Sequence, residues 1–114
     1  MGGRCGRYFL IEADGGVYPC DFYVLDKWRM GNILETPFSR LANSEVGLRF
    51  REESLFVPEP CRQCRWHSLC RNGCKRERVP ETGLNRWCAC FRAFFEYSHP
   101  RMEEMARQIR ARGQ

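Results

Sequence analysis

Four cysteines fall within fourteen residues, as Cys61-x2-Cys64-x5-Cys70-x3-Cys74, and nothing else in the sequence constrains the fold as tightly. Thiols this close, on a loop without a repeating hydrogen-bond ladder, can turn inward onto one metal centre. Thiolate is a soft ligand, which selects zinc or iron–sulfur over calcium or magnesium. Gly73 lets the backbone bend sharply just before Cys74. Four further cysteines stand outside this run: Cys5, Cys20, Cys88 and Cys90. Eight in 114 residues is about 7%, in a chain short enough to need help from a covalent or metal staple. Cysteine-dense secreted domains use disulfides, whereas cytosolic chains of the same density bind metal.

The N-terminus speaks against secretion. Met1 to Arg7 leads into only a short apolar stretch, Tyr8 to Ile11, before Glu12 and Asp14. A signal peptide needs an apolar core of roughly 7–15 residues, and a membrane span needs about 20. The expectation is a cytoplasmic protein with no membrane partner. The formal net charge of +5 would ordinarily suggest an acidic partner. Here Arg62, Arg65, Arg71, Lys75, Arg76 and Arg78 surround the cysteines. Four thiolates on one metal centre make a net anion that these side chains offset, so nucleic acid is not required.

The residue pattern implies one α+β domain over 1–114. A hairpin and a short strand occupy 5–35, helices 36–53, cysteine-rich loops 57–90 and C-terminal helices 91–112. Tyr8-Phe9-Leu10-Ile11 is followed by the turn Ala13-Asp14-Gly15-Gly16, and Val17-Tyr18 begins the return strand. Lys27-Trp28-Arg29-Met30 alternates up to Gly31-Asn32, which predicts a third strand. Thr36 before Pro37 predicts a helix start with Phe38, Leu41 and Ala42 on one face, and Ser44 predicts the cap of a second helix carrying Val46, Leu48 and Phe50. The irregular stretch from Val57 to Trp87 is too long for a compact domain without functional loops or a staple. Beyond it, Phe91, Phe94 and Phe95 form one helical stripe, and Met102, Met105, Ala106 and Ile109 form another after Pro100. Both are expected to be packing faces, and the Arg-rich tail 107–112 a frayed, solvated end.

Spacing alone favours metal over a disulfide framework, and zinc over iron–sulfur, because zinc is the commoner occupant of four-cysteine sites. His67 and His99 are candidate zinc ligands, although each sits beside an aromatic residue or a proline as an ordinary histidine would. Cys5 and Cys20 flank the hairpin, so pairing its strands brings them together at its open end.

The full order of cysteines resembles the SPASM domain, the C-terminal iron–sulfur extension of many radical S-adenosylmethionine enzymes. That family's pattern runs Cys-x9–15-Gly-x4-Cys, a gap, Cys-x2-Cys-x5-Cys-x3-Cys, another gap and a last Cys. Cys5-x9-Gly15-x4-Cys20 matches the first part, Cys61, Cys64, Cys70 and Cys74 the second, and Cys88 the last. The run from Asp14 through Gly15, Gly16, Val17, Tyr18, Pro19, Cys20, Asp21 and Phe22 to Tyr23 is similar to the anaerobic sulfatase-maturating enzymes in particular. So are Gly31-Asn32-Ile33 and the segment from Phe94-Phe95-Glu96 through Pro100 to Met102.

This resemblance implies two four-iron, four-sulfur clusters. One would be held by Cys61, Cys64, Cys70 and Cys88. The other would be held by Cys5, Cys20 and Cys74, with a fourth cysteine shortly upstream of Cys5 that these residues do not include. Cys90 has no place in the pattern; a spare thiol, a stand-in ligand and inert packing are the three readings, and the last is favoured. The resemblance further implies electron transfer and substrate-peptide binding within a radical enzyme that oxidises a cysteine or serine of a sulfatase to formylglycine. Asp21 stands where that family carries its general base. A carboxylate beside a poorly solvated, anionic cluster gains basicity, which suits the role; the plainer expectation is a turn or capping residue. The Cys-x3-Cys-x2-Cys triplet that binds the S-adenosylmethionine cluster is absent from the 114 residues. By itself the chain is therefore expected to be inactive and to depend on a radical catalytic domain, upstream or on a separate chain. Two other functions compete: another SPASM peptide maturase, and a zinc-stapled binding module with nucleic acid as one candidate partner. A secreted disulfide scaffold ranks below these.

Overall fold

The computed structural model describes residues 2–113. Its architecture is α+β, a small antiparallel sheet followed by helices. Strands β1 (Leu10–Ile11) and β2 (Gly16–Tyr18) form the hairpin, with Leu10 opposite Tyr18 and Ile11 opposite Val17. The turn closes through Glu12, whose N–H donates to the Gly16 carbonyl at 2.9 Å and whose carbonyl accepts from Gly15 at 2.9 Å. Gly15 has φ +87°, and a Cβ there would lie 2.4 Å from Asn32 Oδ1. Both the left-handed conformation and the close approach demand glycine.

Strand β3 (Gly31–Asn32) pairs with β2, Gly16 opposite Asn32 and Val17 opposite Gly31, in the order β1-β2-β3. The third strand thus lies one step beyond the alternating Lys27–Met30. Asp26–Trp28 instead forms a 3-10 turn, in which the Trp28 N–H donates to the Leu25 carbonyl at 2.8 Å. Burial decides this: Trp28 is 5% exposed and meets Phe50 edge-on with ring centroids 5.0 Å apart. Four alternating residues are too few to outweigh one large aromatic seeking the core.

Helix α1 (Phe38–Ala42) follows Pro37, and α2 (Glu45–Ser54) follows Ser44, whose Oγ accepts the Gly47 N–H at 3.2 Å as an N-cap. Val17, Met30 and Leu41 form the buried core, with Phe9 and Val46 packed against it. Beside it, Phe50 of α2 joins Trp28 and Tyr23 in an aromatic group. Burying a side chain the size of Phe50 contributes about 2–3 kcal/mol, so this group anchors α2 beneath the hairpin.

The cysteine-rich stretch contains two single-turn helices, α3 (Glu59–Arg62) and α4 (His67–Cys70). One helix then follows where two were expected: α5 (Cys88–Arg112) runs through Pro100 without a break. Proline removes one helical N–H, and the long helix on either side absorbs that loss. The expected packing stripes are largely exposed, with Phe94 at 54%, Met102 and Met105 at 60% and Ile109 at 68%. Periodicity identified residues sharing a face but not whether anything covers it. The Arg-rich tail stays helical to Arg112, with Arg107 paired to Glu104 at 2.6 Å. Among the described residues no helix is long and apolar enough to cross a membrane.

Candidate functional site

Seven of the eight cysteines are gathered on two cavities. Cys61, Cys64, Cys70 and Cys88 all line the first, which has a volume of about 340 Å³. They arrive from α3, the bend after it, α4 and the first residue of α5. Local folding explains this. The Cys64 N–H donates to the Cys61 carbonyl at 3.2 Å, and the Cys70 N–H donates to the Trp66 carbonyl at 2.9 Å, so two tight turns place three thiols on one side of the loop. Cys88 joins them from a distance because its N–H donates to the Asn85 carbonyl at 3.0 Å. The second cavity, of about 450 Å³, is lined by Cys5, Cys20 and Cys74 together with Asp21, Phe22 and Lys75.

The turn that separates Cys70 from Cys74 assigns them to different cavities. Arg71, Asn72 and Gly73 are all left-handed, with φ 49°, 61° and 57°. A Cβ on Gly73 would sit 2.5 Å from Asn85 Nδ2. The buried pair Asn72 and Asn85 holds this turn against the segment entering α5. The Asn85 N–H donates to Asn72 Oδ1 at 2.9 Å, Asn85 Nδ2 to the Asn72 carbonyl at 3.3 Å, and Asn72 Nδ2 to the Gly83 carbonyl at 2.7 Å. Sequence reasoning missed this pair; the Asn-Gly dipeptide between two cysteines was the available signal.

Electrostatics divides the thiols the same way. Burial pushes the Cys61 thiol above its ordinary value, and Cys88, Cys70 and Cys64 add to the rise. Cys88 is raised by burial and then by Cys70 and Cys64. On the second cavity, burial raises Cys5, with Cys74 adding, and burial raises Cys20, with Asp21 and Cys5 adding. The Cys20 thiol donates to Asp21 Oδ1 at 3.3 Å. Asp21 is exposed and opens a 3-10 turn, Asp21–Tyr23, in which no side chain caps the end. Cys90 is exposed and lines neither cavity, which does not fit the packing role favoured from the sequence. His99 meets Trp66 at a tilt with ring centroids 5.3 Å apart, faces Glu103 at 3.7 Å and lines neither cavity, while His67 lines the first.

These shifts carry a pH consequence for the metal-free chain. The folded chain binds the protons of Cys5, Cys20, Cys61 and Cys88 more tightly than the unfolded one, whose thiols titrate at about pH 8.5. The stabilisation is fully present below that value and is lost as pH rises through it. The urea midpoint of the reduced, metal-free chain should fall between about pH 8 and 10. A flat or rising midpoint would contradict the burial described.

The donor set fits an iron–sulfur cluster better than a lone ion. Among the described residues no three Cys, His, Asp or Glu side chains form a group able to hold one metal ion. A single tetrahedral zinc would draw its sulfurs to within about 4 Å of one another, whereas a polynuclear group takes one thiolate per iron around a wider cavity. Two buried ring nitrogens on the first cavity, Trp66 Nε1 and His67 Nδ1, have no partner in the protein. An anionic, sulfide-bearing group supplies the acceptor that an orphaned indole N–H lacks.

The model of the iron–sulfur cluster-binding domain known as SPASM matches residues 4–65. The chain belongs to the SPASM family. Its similarity to longer SPASM proteins extends over nearly the whole chain. It is 42% identical over 114 residues to the cysteine-type anaerobic sulfatase-maturating enzyme of Clostridium perfringens strain 13, covering 96% of this chain and 31% of that protein. It is 28% identical over 117 residues to the serine-type enzyme of Bacteroides thetaiotaomicron, covering 96% of this chain and 28% of that protein. Among solved structures, native anSMEcpe with bound AdoMet and Kp18Cys peptide superposes with a TM-score of 0.87 at 42% identity, over 95% of this chain and 31% of that one. The chain thus spans about a third of the length of these relatives. The SPASM match sets the zinc-stapled module aside.

Proposed function

We propose that the chain is the auxiliary, electron-accepting and substrate-facing part of a radical S-adenosylmethionine enzyme that oxidises a cysteine or serine of a sulfatase to formylglycine. The carrying observation is the division of seven thiols over two cavities, with the exposed carboxylate of Asp21 on the second, bonded to the Cys20 thiol. Cys61, Cys64, Cys70 and Cys88 would hold one four-iron, four-sulfur cluster. Cys5, Cys20 and Cys74 would hold a second, leaving one position for a ligand that the matched cysteines do not supply. When bound, the clusters supply a sink for the electron released by the oxidised residue.

The chain's own groups do the rest. Asp21 accepts the proton of the substrate thiol or hydroxyl, at the rim where a peptide can reach it. Arg65, stacked on Trp66 at 4.5 Å, and Arg76, over Phe22 at 4.1 Å, offset negative charge around the two cavities. Radical generation belongs to a catalytic domain bearing the missing triplet, and S-adenosylmethionine binds there. Eight unbridged thiols suit the reducing cytoplasm.

The test joins this domain to such a catalytic domain and supplies a sulfatase-derived peptide under anaerobic conditions. The expected product is an aldehyde at the target cysteine or serine, read by mass spectrometry. Normal S-adenosylmethionine cleavage with a different peptide product would assign the chain to another kind of peptide maturase.

A further inference from the structure

Among the described residues Arg78 has no carboxylate partner and is held instead by carbonyls of segments that flank the two thiol cavities. Arg78 Nη1 donates to the Ser54 carbonyl at 2.7 Å, and Nη2 donates to the carbonyls of Gly3 at 3.1 Å and Gly73 at 3.3 Å. Its Nε donates to the Asn72 carbonyl at 3.3 Å. These four acceptors frame both sites. Gly3 is two residues before Cys5, and Gly73 immediately precedes Cys74. Asn72 lines the first cavity, two residues after Cys70. Ser54 also takes the Cys5 N–H on its Oγ at 2.9 Å. Lys75 lines the second cavity, but it is neutralised by Glu53 at 2.9 Å and enclosed by the rings of Tyr23, Trp28 and Phe50.

An arginine held only by carbonyls keeps its full charge at every accessible pH. Glu53 lines a small cavity with Arg78 but pairs with Lys75 at 2.9 Å, which leaves the Arg78 charge beside the segments that carry the two thiol groups. A cluster becomes more negative on reduction, so a fixed cation nearby favours the reduced form and raises the potential.

Resting on the two-cluster reading above, we propose that Arg78 is a shared electrostatic regulator: a single fixed charge that raises the reduction potentials of both clusters together. The guanidinium fork is what allows this, since one side chain must reach four carbonyls on three segments around both sites. Arg78 touches neither substrate nor reacting atoms and is a positioning and tuning residue.

The experiment compares wild type, Arg78→Gln, Arg78→Lys and Lys75→Met after anaerobic reconstitution of the 114-residue chain. It reads iron per chain and the midpoint potential of the four-cysteine cluster by EPR-monitored titration. Arg78→Gln should lower that potential and reduce the iron retained by the three-cysteine site. Arg78→Lys should retain most of both properties. Lys75→Met should affect only the three-cysteine site. An unchanged potential in Arg78→Gln overturns the proposal, as does equal loss of both sites in Arg78→Gln and Arg78→Lys, which would make the residue a structural clamp. Loss of clusters in Arg78→Gln alone supports it. If the wild-type chain binds no iron, it is the two-cluster reading that fails, before Arg78 is tested.

Discussion

Asp21→Asn should cut aldehyde formation by about 10²-fold or more, the usual scale for removing a general base, while leaving iron content and S-adenosylmethionine cleavage intact. The enzyme tested is the one that joins this domain to its catalytic portion. Asparagine keeps the shape and most of the hydrogen bonding of aspartate but accepts no proton at neutral pH. The structure makes Asp21 a poor candidate for a structural role: it is exposed, caps no helix, and bonds the Cys20 thiol at 3.3 Å. Metal ligation takes the proton from a cysteine, so a cluster on Cys20 would release the carboxylate from that bond and leave it open to the cavity. Iron content, cleavage and peptide oxidation are measured on one preparation. Near-normal oxidation would reduce Asp21 to a turn residue, and loss of iron would make it a support of the metal site.

Replacing Cys61, Cys64, Cys70 or Cys88 singly with alanine should abolish the signal of the complete cluster and lower the melting temperature by about 10 °C or more. The reason is coupling: ligands converge only in the folded chain, so binding energy is folding energy. Few apolar contacts would take its place. Around these thiols the buried groups are Trp66, Asn72 and Asn85, and α3 and α4 are single turns that cannot stand alone. Cys61→Ala should be the most damaging, because Cys61 is the one buried cysteine. Cys90→Ala, in contrast, should change neither iron content nor stability. A Cys90→Ala variant that lost iron would show that Cys90 is a ligand.

Local chemistry was legible where a few neighbouring residues settle the outcome. Asp14-Gly15-Gly16 specified the hairpin because only glycine tolerates the left-handed turn against Asn32, and Ser44 specified the start of α2 through its own hydroxyl. The third strand was displaced because Trp28 is drawn to Phe50, a partner 22 residues away. The continuity of α5 through Pro100 and the exposure of Met102, Met105 and Ile109 depend on what surrounds a helix, which periodicity does not encode. Cysteine spacing alone pointed to zinc; only the longer pattern, reaching from Cys5 through Gly15 to Cys88, pointed to iron–sulfur. For Arg78, Asn72 and Asn85 the sequence offered only the basic cluster among the cysteines and the Asn72-Gly73 dipeptide, and none of their contacts. Their roles arise from contacts such as Arg78 with Gly3, 75 residues apart, that the folded chain alone creates.

The most direct measurement is the iron, acid-labile sulfide and zinc content of the anaerobically reconstituted chain. The account predicts a brown protein with iron and sulfide in equal amounts, at least one complete four-iron cluster per chain, and no stoichiometric zinc. A colourless protein carrying stoichiometric zinc without iron would contradict it.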